Sequence, residues 1–234
     1  MPLSSITRFP GGVTNNSETD ELADLRVPSP LVYNMMYDDF NTYTAANWTV
    51  AGTAPGVAAL SAAADGGVIA IPTTATNPSE TSISLPNLTI TPDITKDLFV
   101  AGRIRIDDAA AGFLFGLSVG SAASPIGTQP VGGIYIIKVP GSDPVGVLRA
   151  GSVSLTSPAL PTIAANTFYD IGIAYTAANG VLNCFMNNAA ARIATNPTVA
   201  QFVGAACGLV VSVRVATANV RTLLLDSYLV AKAR

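Results

Sequence analysis

No histidine occurs in the 234 residues, and glutamate stands only at Glu18, Glu21 and Glu80. That removes Ser-His-Asp and Cys-His nucleophilic catalysis, HExxH zinc sites and imidazole acid–base chemistry together. The remaining candidates are carboxylates, and hydrolysis of a glycoside needs two of them facing each other across the scissile bond. Asp170 and Asp226 fall within predicted strands, and Asp107 and Asp108 fall at a strand end. These acids are few and scattered. The glycine pairs Gly11-Gly12, Gly66-Gly67 and Gly132-Gly133 lack the GxxxxGK[ST] or GxGxxG context that cradles a phosphate. No catalytic residue is expected.

Three acidic positions have other uses. Asp38-Asp39 before Phe40, and Asp107-Asp108 after a strand, have the character of turn and strand-end carboxylates, which hydrogen-bond the backbone just ahead of them. Asp226 stands alone in an apolar final strand, and two readings of it stay open. Backbone N–H groups or Arg221 satisfy its carboxylate, or it is an oxygen ligand for Ca²⁺, which favours carboxylates and carbonyls. Tyr33, Tyr37, Tyr43, Trp48, Tyr135, Tyr169, Tyr175 and Tyr228 are the aromatics available to line a sugar groove. The single tryptophan, Trp48, is expected to pack in the core instead. Cys184 and Cys207, the only cysteines, each lie in a strand-like apolar run, where a free thiol acts as a small hydrophobe.

The elements that position these residues read as β-strands. Between Leu98 and Asp107, Leu98, Val100, Ile104 and Ile106 alternate with Phe99, Ala101, Arg103 and Arg105, the mark of a half-buried strand. Phe113, Phe115, Leu117 and Val119 follow at period 2, and Ile134 to Val139 and Val145 to Arg149 flank a turn at Pro140 to Pro144. Tyr169, Ile171, Ile173 and Tyr175 alternate up to Asn179-Gly180, and Val181 to Met186 lead away; Asn-Gly predicts a type I′ hairpin. Leu209 to Val215 and Leu223 to Val230 close the chain, the latter apolar on both parities, as in a strand covered on both sides or lying centrally in the sandwich. Asn187 to Phe202, rich in Ala and Asn, is expected to be a loop with a short helix. About ten to twelve short runs with regular turn signals predict an all-β fold of two packed antiparallel sheets over residues 33–234.

Residues 1–32 differ. Pro2, Pro10, Pro28 and Pro30 keep the backbone extended and deny it ladder hydrogen bonds. Leu3, Ile6, Phe9 and Val13 are spaced through a polar segment, as in an arm that docks apolar side chains into a partner's grooves; Glu18 to Arg26 has room for one helical turn. Charged residues make up 12% of the chain, against roughly 25% in an ordinary globular protein, which suits a surface packed against neighbours. Net charge is −3 and the basic residues form no stripe, so a nucleic-acid partner is not expected. The opening MPLSSITRFPGG lacks the basic and apolar regions of a secretory signal, and no apolar run reaches the ~20 residues that span a bilayer. A soluble protein made in a cytoplasm is expected.

Two segments resemble a known family. Tyr33 to Gly52 (YNMMYDDFNTYTAANWTVAG) resembles the first strands of concanavalin-like, laminin-G-type jelly-roll sandwiches, with Asp-Asp-Phe followed some eight residues on by Trp. Arg221 to Arg234 (RTLLLDSYLVAKAR) is similar to their last strand, and Phe168 to Asn188 to one of their hairpins. The resemblance implies a jelly-roll fold, and in calcium-binding members the matching Asp of the last strand is a ligand, which singles out Asp226. The Glu-x-Asp-x-x-Glu of the glucanase members is missing, so hydrolase activity does not carry over. The arm followed by a sandwich also resembles structural proteins of tailed bacteriophages. That resemblance implies a capsid decoration (cement) protein on the outside of the virion, binding the major capsid protein and assembling as a homo-oligomer, dimer or trimer. The alternative within the same fold is a lectin-like, carbohydrate-binding head-fibre or tail module.

Overall fold

A computed structural model describes residues 33–61, 67–85, 89–119, 124–202 and 204–234. The expected arm, with Leu3, Ile6, Phe9 and Val13, lies outside the described residues, as does the expected turn at Glu18 to Arg26. In chain order the strands are β1 (Tyr33–Asp38), β2 (Thr49–Ala51), β3 (Ala59–Leu60), β4 (Ile69–Pro72), β5 (Ser79–Ser84), β6 (Leu98–Ile106), β7 (Gly112–Ser118) and β8 (Gly132–Lys138). They continue as β9 (Val145–Ala150), β10 (Val153–Thr156), β11 (Phe168–Thr176), β12 (Val181–Met186), β13 (Ala189–Thr195), β14 (Gly208–Val215) and β15 (Thr222–Ala233).

They form two antiparallel sheets. The first has the order β13-β12-β11-β6-β15-β4-β3, with β1 also on β15; the second has the order β10-β9-β8-β7-β14-β5-β2. The predicted alternation sets the faces. Leu98, Val100, Ile104 and Ile106 of β6 and Ile171 and Ile173 of β11 point between the sheets, against Phe113, Phe115 and Leu117 of β7 and Val211 and Val213 of β14. Burying each such side chain is worth about 1.5–3 kcal/mol. Gly102 breaks the pattern of large inward residues on β6 for a steric reason: a Cβ there would come within 2.6 Å of the Phe115 ring. Trp48 lies in this core as expected, its ring 6.0 Å from Phe40 and 5.9 Å from Tyr228. Cys184 and Cys207 are free and buried.

Strand β15 lies inside the first sheet, one of the two placements its two-sided apolar pattern allows, and it changes neighbours along its length. Thr222 to Leu225 pair with β4 and Tyr228 to Ala233 with β1, while β6 runs along the other side. The change falls at a bulge between Leu225 and Ser227, and Asp226 is the residue left over there.

Two local expectations are corrected. Asn187 to Phe202 is not a loop with a helix: Ala189–Thr195 forms β13, paired with β12 as an edge strand. Asn187, at a φ of 51°, starts the turn. Alanines carry little strand signal of their own, so the pairing partner decides this segment. The turn at Asn179-Gly180 is not type I′ either. Thr176 pairs with Val181, leaving the four residues Ala177 to Gly180 as the loop. Gly180 takes a φ of 60°, whereas Asn179 is not among the positive-φ residues and donates its N–H to the Thr176 carbonyl.

Candidate functional site

The two outer faces of the sandwich differ. On the second sheet, Leu114, Tyr135, Ile137, Val147 and Val210 form an outward apolar cluster that Ile126 caps, from the one-turn helix α1 (Pro125–Thr128). Glu80 of β5 fastens this cover. Its carboxylate accepts hydrogen bonds from the Ser124 hydroxyl (2.5 Å), the Ile126 N–H (2.6 Å), the Gly127 N–H (3.2 Å) and the Ser212 hydroxyl (3.1 Å), and Arg214 lies 3.8 Å away. Glu80 is 1% exposed. The only glutamate in the described residues is therefore a structural clasp, unavailable to a ligand.

The first sheet is open. Its strand register places Tyr37, Leu229, Ala101, Gly172 and Phe185 side by side in one outward row from β1 to β12. Ala101 and Gly172 are small, so the row dips between Tyr37 and Phe185 into a groove of about 210 Å³. Tyr37 is 62% exposed at its rim. Arg103 and Asp170, opposite each other on β6 and β11, form one wall. The Arg103 guanidinium lies 3.9 Å from Asp170 Oδ1 and 3.8 Å from Asp226 Oδ2, and 5.0 Å from the centre of the Phe168 ring. Arg105 approaches the same ring at 5.3 Å. Partial burial, then the charges of Asp39, Asp226 and Asp38, push the Tyr37 phenol above its usual pKa.

The acids predicted as site candidates are thus partly brought together. Asp170 and Asp226 converge, from strands far apart in sequence, on Arg103. Arg221, expected as an alternative partner of Asp226, pairs instead with Asp108 at 2.7 Å. Both carboxylates face the same guanidinium, Asp170 at 3.9 Å and Asp226 at 3.8 Å. Asp38 and Asp39 act as turn carboxylates: Asp38 accepts from the Phe40 N–H (2.8 Å) and Asp39 from the Asn41 side chain (2.9 Å). Asp107 accepts from the Thr222 N–H (2.9 Å) and Asp108 from the Ala110 N–H (2.8 Å). For calcium the donor set at Asp226 is a poor fit. Its near neighbour is a cation, and the described residues contain no group of three or more acidic, His or Cys side chains that could hold a metal. A Ca²⁺ ion takes roughly six to eight oxygens.

Tyr37 stands among the aromatics that the sequence offers to a sugar groove, but nothing in the sequence joins it to Arg103, Phe168 and Phe185. The period-2 pattern puts Arg103 and Asp170 on solvent faces, but only the β6–β11 register makes them neighbours. Among the described residues, no helix is long and apolar enough to cross a membrane.

No protein-family model matches the sequence, and no curated protein matches it. Solved structures do match the fold. Arcelin-5, a lectin-like defence protein from Phaseolus vulgaris, superposes with a TM-score of 0.63 at 12% identity, covering 87% of this chain and all (100%) of its own. The carbohydrate recognition domain of Emp47p gives 0.60 at 13% identity, over 88% of this chain and 99% of that one. The endo-1,3-beta-glucanase of Streptomyces sioyaensis gives 0.59 at 13% identity, over 88% and 98%. The fold of the described residues is accordingly the lectin-like, concanavalin-like jelly-roll sandwich.

Proposed function

We propose that this chain is a non-catalytic carbohydrate-binding module that holds a glycan along the groove of the first sheet. The observation that carries this reading is the exposed Tyr37 ring beside a small-residue floor, with Arg103 and Asp170 in the lining of the same groove and Asp226 3.8 Å from Arg103. A sugar offers a flat C–H face and a rim of hydroxyls; an aromatic ring takes the first, and a carboxylate–guanidinium pair takes the second from a rigid strand pair. Carbohydrate-binding neighbours of the same fold support the reading, as does the lack of any histidine. Immobilised-glycan binding by the wild type and by Tyr37→Ala and Arg103→Ala tests it. Saturable wild-type binding that drops about tenfold or more in both variants is expected. Equal binding by all three proteins would remove the groove from the account.

Such a module needs a mount, and we propose a tailed-phage particle for it. On this reading residues 1–32 fasten the sandwich to the major capsid protein through Leu3, Ile6, Phe9 and Val13, and copies associate as dimers or trimers on the capsid exterior. The charge-poor composition and the resemblance of the arm and opening strand to structural proteins of tailed bacteriophages support it. An extended arm reaches roughly 3.3 Å per residue, enough to cross between neighbouring subunits. The test is binding of the protein lacking residues 1–30 to expanded capsids. Undiminished binding, or absence of the protein from purified particles, refutes the mount while leaving the groove untouched.

A further inference from the structure

The groove also carries a charge pattern that bears on which glycans it accepts; the argument rests on the carbohydrate reading above. Arg103 is the one cation among the groove's lining residues, and it is already occupied. Asp170 engages its Nε side at 3.9 Å, Asp226 its Nη1 side at 3.8 Å, and the Phe168 ring lies 5.0 Å from its carbon. Two carboxylates against one guanidinium leave this wall with an excess negative charge. At the Tyr37 rim, Asp38 and Asp39 close β1 and hold their own turn, so they add charge without adding a cation. Arg105 lies 5.3 Å from the centre of the Phe168 ring and is not among the lining residues.

We propose that the groove selects uncharged glycans and rejects those bearing uronate or sialate carboxylates, because Asp170 and Asp226 beside Arg103 outweigh its single positive charge. An incoming carboxylate that approaches the half-exposed guanidinium has to sit beside two resident carboxylates. Like charges within a few ångströms disfavour that arrangement. A neutral sugar meets no such cost. Its hydroxyls donate to Asp170, which lines the groove, while its C–H face rests on Tyr37. Selectivity of this kind is built from an unfavourable contact with the wrong ligand, with no added attraction for the right one.

The experiment compares two probe sets, neutral gluco-, manno- and galacto-oligosaccharides against oligogalacturonate and sialyllactose, at low and at physiological salt. It uses the full chain and its Asp170→Asn/Asp226→Asn variant. Asp170 is largely exposed and Asp226 sits at a bulge, so the amides are tolerated by the fold; circular dichroism and the unfolding midpoint check this. The expected result is wild-type binding to at least one neutral probe and about tenfold or weaker binding to the acidic ones. The double variant frees Arg103 and gains about tenfold in acidic-probe binding, the gain shrinking with salt. Wild-type binding to an acidic probe equal to or tighter than to the neutral ones, or a double variant with no gain, overturns the selectivity while the carbohydrate reading stands. Wild-type protein binding neither set overturns both.

Discussion

Replacing Glu80 by alanine should destabilise the sandwich by about 4 kcal/mol. The figure comes from what the carboxylate leaves behind. The Ile126 and Gly127 N–H groups lose their acceptor, and the Ser124 and Ser212 hydroxyls lose theirs. Each buried donor left alone costs about 1–3 kcal/mol, although hydroxyls can turn elsewhere. Breaking a buried ion pair costs about 3–5 kcal/mol, but Arg214 is partly exposed and water can take over some of its solvation, so the lower end applies. The contacts form one network and do not add, which brings the total to about 4 kcal/mol. Glu80→Gln should cost about half as much. Its carbonyl still serves Ile126 and Ser212, while its amide NH₂ turns toward Gly127 and Arg214, donor against donor. The assay is urea unfolding followed by fluorescence of Trp48, the only tryptophan, with the slope checked for constancy. A loss under about 1 kcal/mol for alanine, or a glutamine variant worse than alanine, would refute the reasoning.

Other outcomes follow from single residues. Burial, aided by Asp38, pushes the Tyr228 phenol up to about 12. A raised folded pKa stabilises below the unfolded value near 10 and loses that contribution as pH climbs through about 12. Tyrosinate absorbance of Tyr228 should therefore lag behind that of exposed tyrosines and rise together with alkaline unfolding. The Tyr228 hydroxyl is buried without a hydrogen-bond partner among the described residues, so Tyr228→Phe should hold or raise the unfolding midpoint, by up to ~1 kcal/mol. Burial pushes the Cys207 thiol up to about 12. A thiol reagent at mildly alkaline pH should leave it unmodified in the native protein and label it once urea unfolds the chain. Gly102→Ala forces a methyl against Phe115 and should cost about 1–3 kcal/mol in the same unfolding assay. Calcium and a chelator should leave the melting temperature unchanged; a rise with calcium would restore Asp226 as a ligand.

Period-2 alternation made the sandwich readable, because β6, β7, β11 and β15 each present one or two long apolar parities that only a sheet can bury. Trp48 was equally legible, since a lone large aromatic beside Phe40 has more to gain in the core than at a rim. Strands made of alanine or only two or three residues long, such as β13, β3 and β2, leave no such pattern and exist because a neighbour pairs with them. The site was harder to see for the same reason. Arg103, Asp170 and Asp226 are each ordinary outward or bulged residues in their own strands, and their meeting depends on a register between segments far apart in the chain. Glu80 in a serine- and threonine-rich strand gave no hint that it clasps α1, since its partners include backbone N–H groups, which any sequence carries.

The pairing of β1 with β15 has a consequence for biogenesis. The earliest and latest of the described strands are hydrogen-bonded to each other, and β6 and β4 also wait for the same late strand. During synthesis the first sheet therefore stays in three unjoined portions, β13-β12-β11-β6, β4-β3 and β1, with edges exposed, until the ribosome has released β15. Such long-range closure makes folding slow and leaves the nascent chain prone to association with its copies. A reporter fused behind progressively longer fragments should register folding only when β15 has emerged.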